Sequence, residues 1–326
     1  MAPPRDPEDE RTDPNLDEIE PEAPSPTAPP VETPQLFPLT RDVAARGARV
    51  RFVEIGEGPP VLMIHGYLAN HATWDHLLDS FGTRFRTIAP DLPGFGDSEK
   101  PSPSRYAYNA DAFAESLVDL VAALGLGRVA VCGHDLGGSV ALTMAARHPS
   151  IVQRLVLVDP LVYPHPTDVY SRVATTPIVG PITFKQLSGR GIFTRYFKSR
   201  NYAAPEAAPA GKVARFFEHF NAPAARESAY ATLESLDDTR TLVALLPRVS
   251  VPTLVFWGRH DRLLPLDHGR RLVRELPNAT LEILEAGHSP HEERAAEFEA
   301  KATAFLSGTP KARGRAILPS KRRERP

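Results

Sequence analysis

Residues 130–142 run AVCGHDLGGSVAL. An apolar run ends at Gly133, a helix-prone run begins near Gly138, and Asp135 stands between them. The pattern is a strand, a sharp turn and a helix, with a carboxylate at the tip. Small residues at Gly133 and Gly137 let neighbouring chain segments approach such a turn. A helix opening here directs its first N–H groups and its positive dipole end at the tip, which favours an ionised carboxylate. Aspartate is also a common helix cap, and alone Asp135 would be read as one. Ser139 falls beyond the turn, inside the helix, and is not expected to react.

Outward from this stretch the chain alternates between two periods. Residues 49–55, 60–66, 85–91, 128–133 and 154–159 have the apolar, β-branched character of strands, and 72–82, 109–125 and 138–149 carry apolar residues at helical spacing. The same alternation returns with strands at 252–258 and 279–287 and helices at 267–277 and 292–306. Strands alternating with helices predict an α/β fold: a mostly parallel central sheet with helices on both faces. Residues 160–247 interrupt it with prolines, scattered aromatics and helix-prone runs, and are expected to form an inserted helical cap. The core is therefore expected in two parts, 36–159 and 248–308.

In such sheets ligand sites gather beyond the carboxyl ends of the strands. Polar residues stand there in His65-Gly66-Tyr67, His134-Asp135-Leu136, Arg259-His260-Asp261 and Gly287-His288-Ser289. Taken in chain order, Asp135, Asp261 and His288 fit a nucleophile, an acid and a base. Asp159 ends an earlier strand and competes with Asp261 as the acid. His65 and His134 are expected to hold loops, Asp91 and Asp97 to fix a tight turn, and His291 to face solvent or cap the final helix. Trp74, Trp257 and Cys132 are expected in the core.

The motifs HGYLANHATW, DLPGFGDSEKP, GHDLGG, WGRHDRLLP and GHSPHEE, in that order, resemble the α/β-hydrolase fold family over residues 49–159 and 248–306. The resemblance implies that GHDLGG is the nucleophile elbow, with aspartate where many members carry serine. It also implies an oxyanion hole from the backbone N–H groups of Tyr67 and Leu136. Within the family, an aspartate at this position resembles the epoxide hydrolase and haloalkane dehalogenase branch. Leu136 and Tyr67 stand where haloalkane dehalogenases typically have tryptophan and asparagine to hold halide. Leu68 stands where epoxide hydrolases typically have proline. Epoxide opening also implies a proton donor from the cap, for which Tyr163, Tyr170, Tyr196, Tyr202 and Tyr230 are the candidates. The leading expectation is an epoxide hydrolase-like enzyme acting on a small apolar molecule. A dehalogenase with an unusual halide site and a non-catalytic binding protein on the same fold are the alternatives.

Composition bounds the rest. The 326 residues are 42% hydrophobic and 24% charged with net charge −2, as in ordinary globular proteins. Residues 1–35 hold ten acidic and two basic side chains and many prolines, and are expected to be disordered. Residues 309–326 hold seven basic and one acidic, a short basic tail. The balance gives no argument for nucleic acid. No run approaches the roughly 20 apolar residues that span a bilayer, and the first residues do not form a signal peptide, so a cytoplasmic location is expected. Neither metal-ligand spacing nor a glycine-rich phosphate loop is present, and no cofactor is expected. The oligomeric state is left open.

Overall fold

A computed structural model describes residues 36–164, 169–236 and 238–308, excluding the side chains of 169–171. The acidic tail expected at 1–35 and the basic tail at 309–326 lie outside the described residues, as does the Tyr170 side chain. The strands are β1 (Leu39–Ala45), β2 (Ala48–Ile55), β3 (Pro60–Ile64), β4 (Arg86–Pro90), β5 (Val129–His134), β6 (Val152–Val158), β7 (Thr253–Gly258) and β8 (Ala279–Leu284). They form one sheet in the order β1-β2-β4-β3-β5-β6-β7-β8. β1 and β2 run antiparallel to their neighbours and the other strands are parallel.

The core helices are α1 (Asp75–Gly82), α2 (Ala110–Ala123) and α3 (Leu136–Arg147), and the cap follows β6 as α4 (Val169–Ala174), α5 (Val179–Leu187), α6 (Arg190–Asn201), α7 (Lys212–Phe220), α8 (Pro223–Leu236) and α9 (Arg240–Leu245). After β7 come α10 (Leu266–Glu275), α11 (Pro290–Glu293) and α12 (Ala295–Ser307). Among the described residues no helix is long and apolar enough to cross a membrane.

β5 and β7 are buried along their whole length because both faces of the sheet are covered. Their side chains alternate between the two layers. Val131, Val255 and Trp257 pack on the side of α2, α3 and α10, whereas Cys132, Leu254 and Phe256 pack on the side of α1 and α12. Trp74, Trp257 and Cys132 are core residues, as expected.

One strand was not foreseen. β1 is mostly exposed and carries the charged residues Arg41 and Asp42, so it lacks an apolar alternation. It forms because Arg46 and Gly47, both at positive φ, make the two-residue turn that matches the twist of a hairpin. Cross-strand pairs Arg41–Glu54 and Arg51–Asp42, at 2.9 and 2.7 Å, then line the ladder.

The cap has its own aromatic core. The Phe193 ring stacks on Phe197 and Phe220 at 5.8 and 5.1 Å, and Phe197 meets Phe216 at 5.3 Å. Offset and edge contacts of this kind add to plain apolar burial. Polar ties then join cap to core. The Tyr67 hydroxyl donates to the Ala229 carbonyl at 2.8 Å, and the Ser228 hydroxyl lies 2.9 Å from the Tyr108 hydroxyl.

Candidate active site

Asp135 stands between β5 and α3 at φ 50° and ψ −116°. That conformation costs about 1–3 kcal/mol for a residue with a side chain, so the surroundings must impose it. They do so through the backbone: the Asp135 N–H donates to Val158 O at 3.0 Å, and the Asp135 carbonyl accepts from Gly138 N at 2.9 Å. A Cβ on Gly133 would lie 2.3 Å from the Gly137 carbonyl oxygen, so the elbow closes only over glycine. α3 begins at Leu136, earlier than the sequence pattern suggested. The Asp135 carboxylate makes no capping hydrogen bond to it and is directed elsewhere. Ser139 is turned inward, its hydroxyl donating to Leu161 O.

Asp135 Oδ2 accepts from the Tyr67 backbone N–H at 2.8 Å. Its Oδ1 lies 3.6 Å from His288 Nε2. Leu136 is the first residue of α3, a position whose N–H has no partner within the helix. Burial pushes the Asp135 carboxyl up, but the His288 imidazole and the Tyr67 N–H outweigh it and hold the carboxyl at about 2. The elbow carboxylate is therefore ionised at neutral pH.

His288 follows β8 and is fully buried. Its Nδ1 is 2.8 Å from Asp261 Oδ2, and Asp261 is itself fixed through Oδ1 by the N–H groups of Leu263 and Leu264 at 2.7 and 2.9 Å. Burial lowers the His288 pKa, but the carboxylates of Asp261 and Asp135 overcome it and raise it well above the ordinary value. The carboxylates on either side of the ring thus favour its protonated form. The structure brings Asp135, Asp261, His288 and Tyr67 together as the sequence suggested.

Asp159 joins them. Oxygen atoms of Asp159 and Asp261 and a ring nitrogen of His288 lie within 4.8 Å of one another. Asp159 Oδ1 accepts from Gly258 N at 3.0 Å, and its carboxyl faces that of Asp261. Burial and the neighbouring Asp261 raise the Asp159 pKa well above the carboxylate range. The two acids are therefore not equivalent: Asp261 holds the histidine, and the surroundings of Asp159 favour its neutral form. A divalent cation fits this set poorly, because Asp261 is already committed to His288 and two backbone N–H groups.

The two supporting histidines hold loops, as expected. His65 Nε2 accepts from Leu92 N at 3.0 Å, which leaves the proton on Nδ1 to donate to Gly66 O at 2.8 Å. His134 Nε2 lies 2.8 Å from the His288 carbonyl, and burial lowers its pKa to about 4, so it is a neutral donor. Asp91 fixes its turn by accepting from His71 N and Asp97 N at 2.8 and 2.7 Å.

His291 departs from expectation. It is fully buried, its ring tilted 42° against the Trp74 ring with centroids 4.5 Å apart, and its Nε2 donates to the Thr73 hydroxyl at 2.9 Å. Its neighbours Glu292 and Glu293 were not singled out in the sequence, yet they anchor the cap. Glu292 accepts from the Thr73 hydroxyl at 2.8 Å, the Tyr202 hydroxyl at 2.6 Å and Lys212 Nζ at 3.0 Å. Glu293 accepts from Ala203 N and Gly287 N at 2.9 and 2.7 Å. The only sequence signal was a pair of acids following the histidine loop.

The tyrosines expected as proton donors are placed variously. Tyr163 donates to Glu275 at 2.7 Å and Tyr202 to Glu292 at 2.6 Å. Tyr230 is raised above its ordinary pKa by burial and by Glu234, to which it hydrogen-bonds. Tyr196 is half-buried on α6. Beside Tyr67, Leu68, Ala69 and Phe95 from core loops meet Phe216, Phe220 and Ala229 from the cap around a small apolar hollow.

Residues 59–295 match the model of the α/β hydrolase fold family. The chain belongs to that family, and its fold is that of the α/β hydrolases. It is 30% identical to 2-hydroxymuconate semialdehyde hydrolase of Pseudomonas putida over 85% of this chain and 98% of that one. It is 30% identical to haloalkane dehalogenase 2 of Mycobacterium bovis over 70% of this chain and 80% of that one. It is 29% identical to epoxide hydrolase 3 of Xenopus tropicalis over 67% of this chain and 63% of that one.

Proposed function

We propose that the protein is an aspartate-nucleophile hydrolase that opens epoxides of small apolar molecules through a covalent alkyl-enzyme ester. The observation carrying this reading is the setting of Asp135: an ionised carboxylate at the elbow, one oxygen under the Tyr67 N–H and the other facing His288. A carboxylate that attacks an ester carbonyl makes an anhydride, which leads nowhere. A carboxylate that attacks a saturated carbon makes an ester, which water can hydrolyse.

In the first step Oδ1 forms a bond to a ring carbon, the carbon–oxygen bond of the epoxide breaks, and the ring oxygen takes up the proton that His288 releases. Alkylation removes the Asp135 charge facing His288, which lowers the imidazole's affinity for its proton and frees Nε2 to act as a base. In the second step Nε2 takes a proton from water as the water oxygen attacks Cγ. Negative charge develops on Oδ2 under the Tyr67 N–H, with the Leu136 N–H as the second donor. The Cγ–Oδ1 bond then breaks, the diol oxygen takes the proton from His288, and the new carboxyl passes its remaining proton to Nε2, which restores the starting carboxylate. Asp261 orients the ring throughout.

Displacement of halide is the second reading. It is favoured by the hydroxyls of Tyr163 and Tyr202 being given to glutamates, since a halide leaves without a proton. Against it, Trp74 and Trp257 are both fully buried, and Trp257 Nε1 donates to Leu264 O at 3.2 Å.

His288→Gln separates the steps. It permits alkylation and blocks hydrolysis, so incubation with styrene oxide should add the mass of the whole epoxide to the peptide holding Asp135. An alkyl halide would add a mass lacking the halogen, and Asp135→Asn should abolish both adducts. Full epoxide or halide turnover by Asp135→Asn would refute the covalent mechanism.

A further inference from the structure

The outer face of the cap has a composition found nowhere else in the described chain. Eight large hydrophobic residues are strongly exposed, and six of them fall between 173 and 192: Val173, Ile178, Val179, Ile182, Leu187 and Ile192. Ile178, 83% exposed, sits at the turn between α4 and α5. Helical periodicity places Val179 and Ile182 on one outward face of α5, while Gly180 and Phe184 face inward. Val173, Leu187 and Ile192 border a shallow apolar hollow that opens among α4, α5 and α6.

The charge of the same segment is one-sided. Residues 169–205 contain Arg172, Lys185, Arg190, Arg195, Lys198 and Arg200 and not one aspartate or glutamate. Arg190 and Lys185 reach Glu218 and Glu227 on later helices, at 3.5 and 3.9 Å. Arg172, Arg195 and Lys198 have no ion-pair partner among the described residues. Arg195 lies three positions after the exposed Ile192, and so on the same face of α6.

We infer that this face of the cap docks on an anionic lipid surface. Apolar side chains that enter the headgroup boundary, flanked by cations that meet anionic headgroups, are the two requirements of interfacial binding. A second copy of the chain fits less well. A symmetric contact would set this cationic face against itself, and like charges across an interface oppose association. The acidic segment 1–35 would match the charge but brings few large apolar residues to cover the patch. The inference does not depend on which bond the enzyme breaks.

Co-sedimentation of the full chain with vesicles tests it. Binding is expected to phosphatidylglycerol–phosphatidylcholine vesicles and not to phosphatidylcholine alone. Ile178→Asp combined with Ile182→Asp should weaken binding about tenfold or more, and Arg195→Glu should weaken it and reduce its salt dependence. Both isoleucines are exposed, and aspartate tolerates the positive φ of residue 178 better than isoleucine does, so these variants should melt like the parent. Absence of binding to the anionic vesicles overturns the inference. So does binding that survives the isoleucine changes but disappears when residues 309–326 are removed, which would assign it to the basic tail. A dimer in sedimentation velocity that the isoleucine changes dissociate would make a second copy the occupant. Binding that appears only after residues 1–35 are removed would make that segment the resident occupant. Either result displaces the lipid.

Discussion

The backbone N–H of Tyr67 lies 2.8 Å from Asp135 Oδ2, so one oxygen of the elbow carboxylate sits under a donor of the proposed oxyanion hole. In the proposed mechanism the other oxygen attacks. In single-turnover reaction in heavy-oxygen water, the oxygen newly bonded to the product carbon should therefore be ordinary oxygen from Asp135. The heavy label should appear in the Asp135 peptide. Heavy oxygen in the first-turnover product would mean that water attacks the substrate carbon directly.

Asp159 and Asp261 should respond oppositely to amide replacement. Burial and the neighbouring Asp261 raise the Asp159 pKa on folding. Burying it costs nothing at low pH and progressively more as pH rises above about 3.8 toward the folded value. Asp159→Asn keeps an acceptor for Gly258 N and removes that cost. It should raise the melting temperature at pH 7 by about 2–4 °C, have little effect near pH 3, and leave kcat within a few-fold. Asp261→Asn should slow ester hydrolysis by roughly 10³–10⁴, because it favours the wrong imidazole tautomer. The reverse pattern in rapid-quench kinetics would make Asp159 the working acid.

Lys212 on the cap and Glu292 beside the histidine loop form an ion pair with side chains only 7% and 2% exposed. Removing one partner leaves the other buried and uncompensated. Lys212→Met should cost about 3–5 kcal/mol and loosen the cap, read as a lower melting temperature and faster hydrogen exchange in α6 and α7. The pair Lys212→Met with Glu292→Gln should recover most of the loss. A double variant no better than the single would show that the charge pair is not the seam's main support.

The charged imidazole gives a pH signature. The His288 pKa is raised on folding, so its contribution to stability is complete below about 6.5 and is lost as pH rises through the folded value. Asp135 moves the other way: its contribution is present above about 3.8 and is lost as pH falls through about 2. The excess stability of the parent over His288→Gln should thus be largest near pH 4–6.5 and shrink toward higher pH in thermal melts. A difference that stays flat or widens with pH contradicts an imidazolium in the resting site.

Much of the site was legible because chemistry and local geometry coincide along the chain. Asp135 lies in a strand–turn–helix segment whose glycines can be read directly, and His288 and Asp261 each follow an apolar strand. Order along the chain sufficed to group them, since parallel strands deliver their following loops to one edge of the sheet. Asp159 was visible only as a rival to Asp261. Its place as a second, neutral acid depends on β6 lying beside β7, which is a long-range pairing.

The sequence by itself determined the α/β alternation, the strand–turn–helix at Asp135 and the chain order of Asp135, Asp261 and His288, because periodicity and turn chemistry are properties of neighbouring residues. Only the tertiary structure decided that His291 is buried, that Glu292 binds Lys212 and Tyr202 from the cap, and that Val173 through Ile192 present apolar side chains outward. An apolar residue on a helix declares that it seeks cover, not which surface will cover it. A glutamate becomes a buried anchor only when residues 80 and 90 positions away supply its donors. Those outcomes rest on packing between distant segments, which no local pattern encodes.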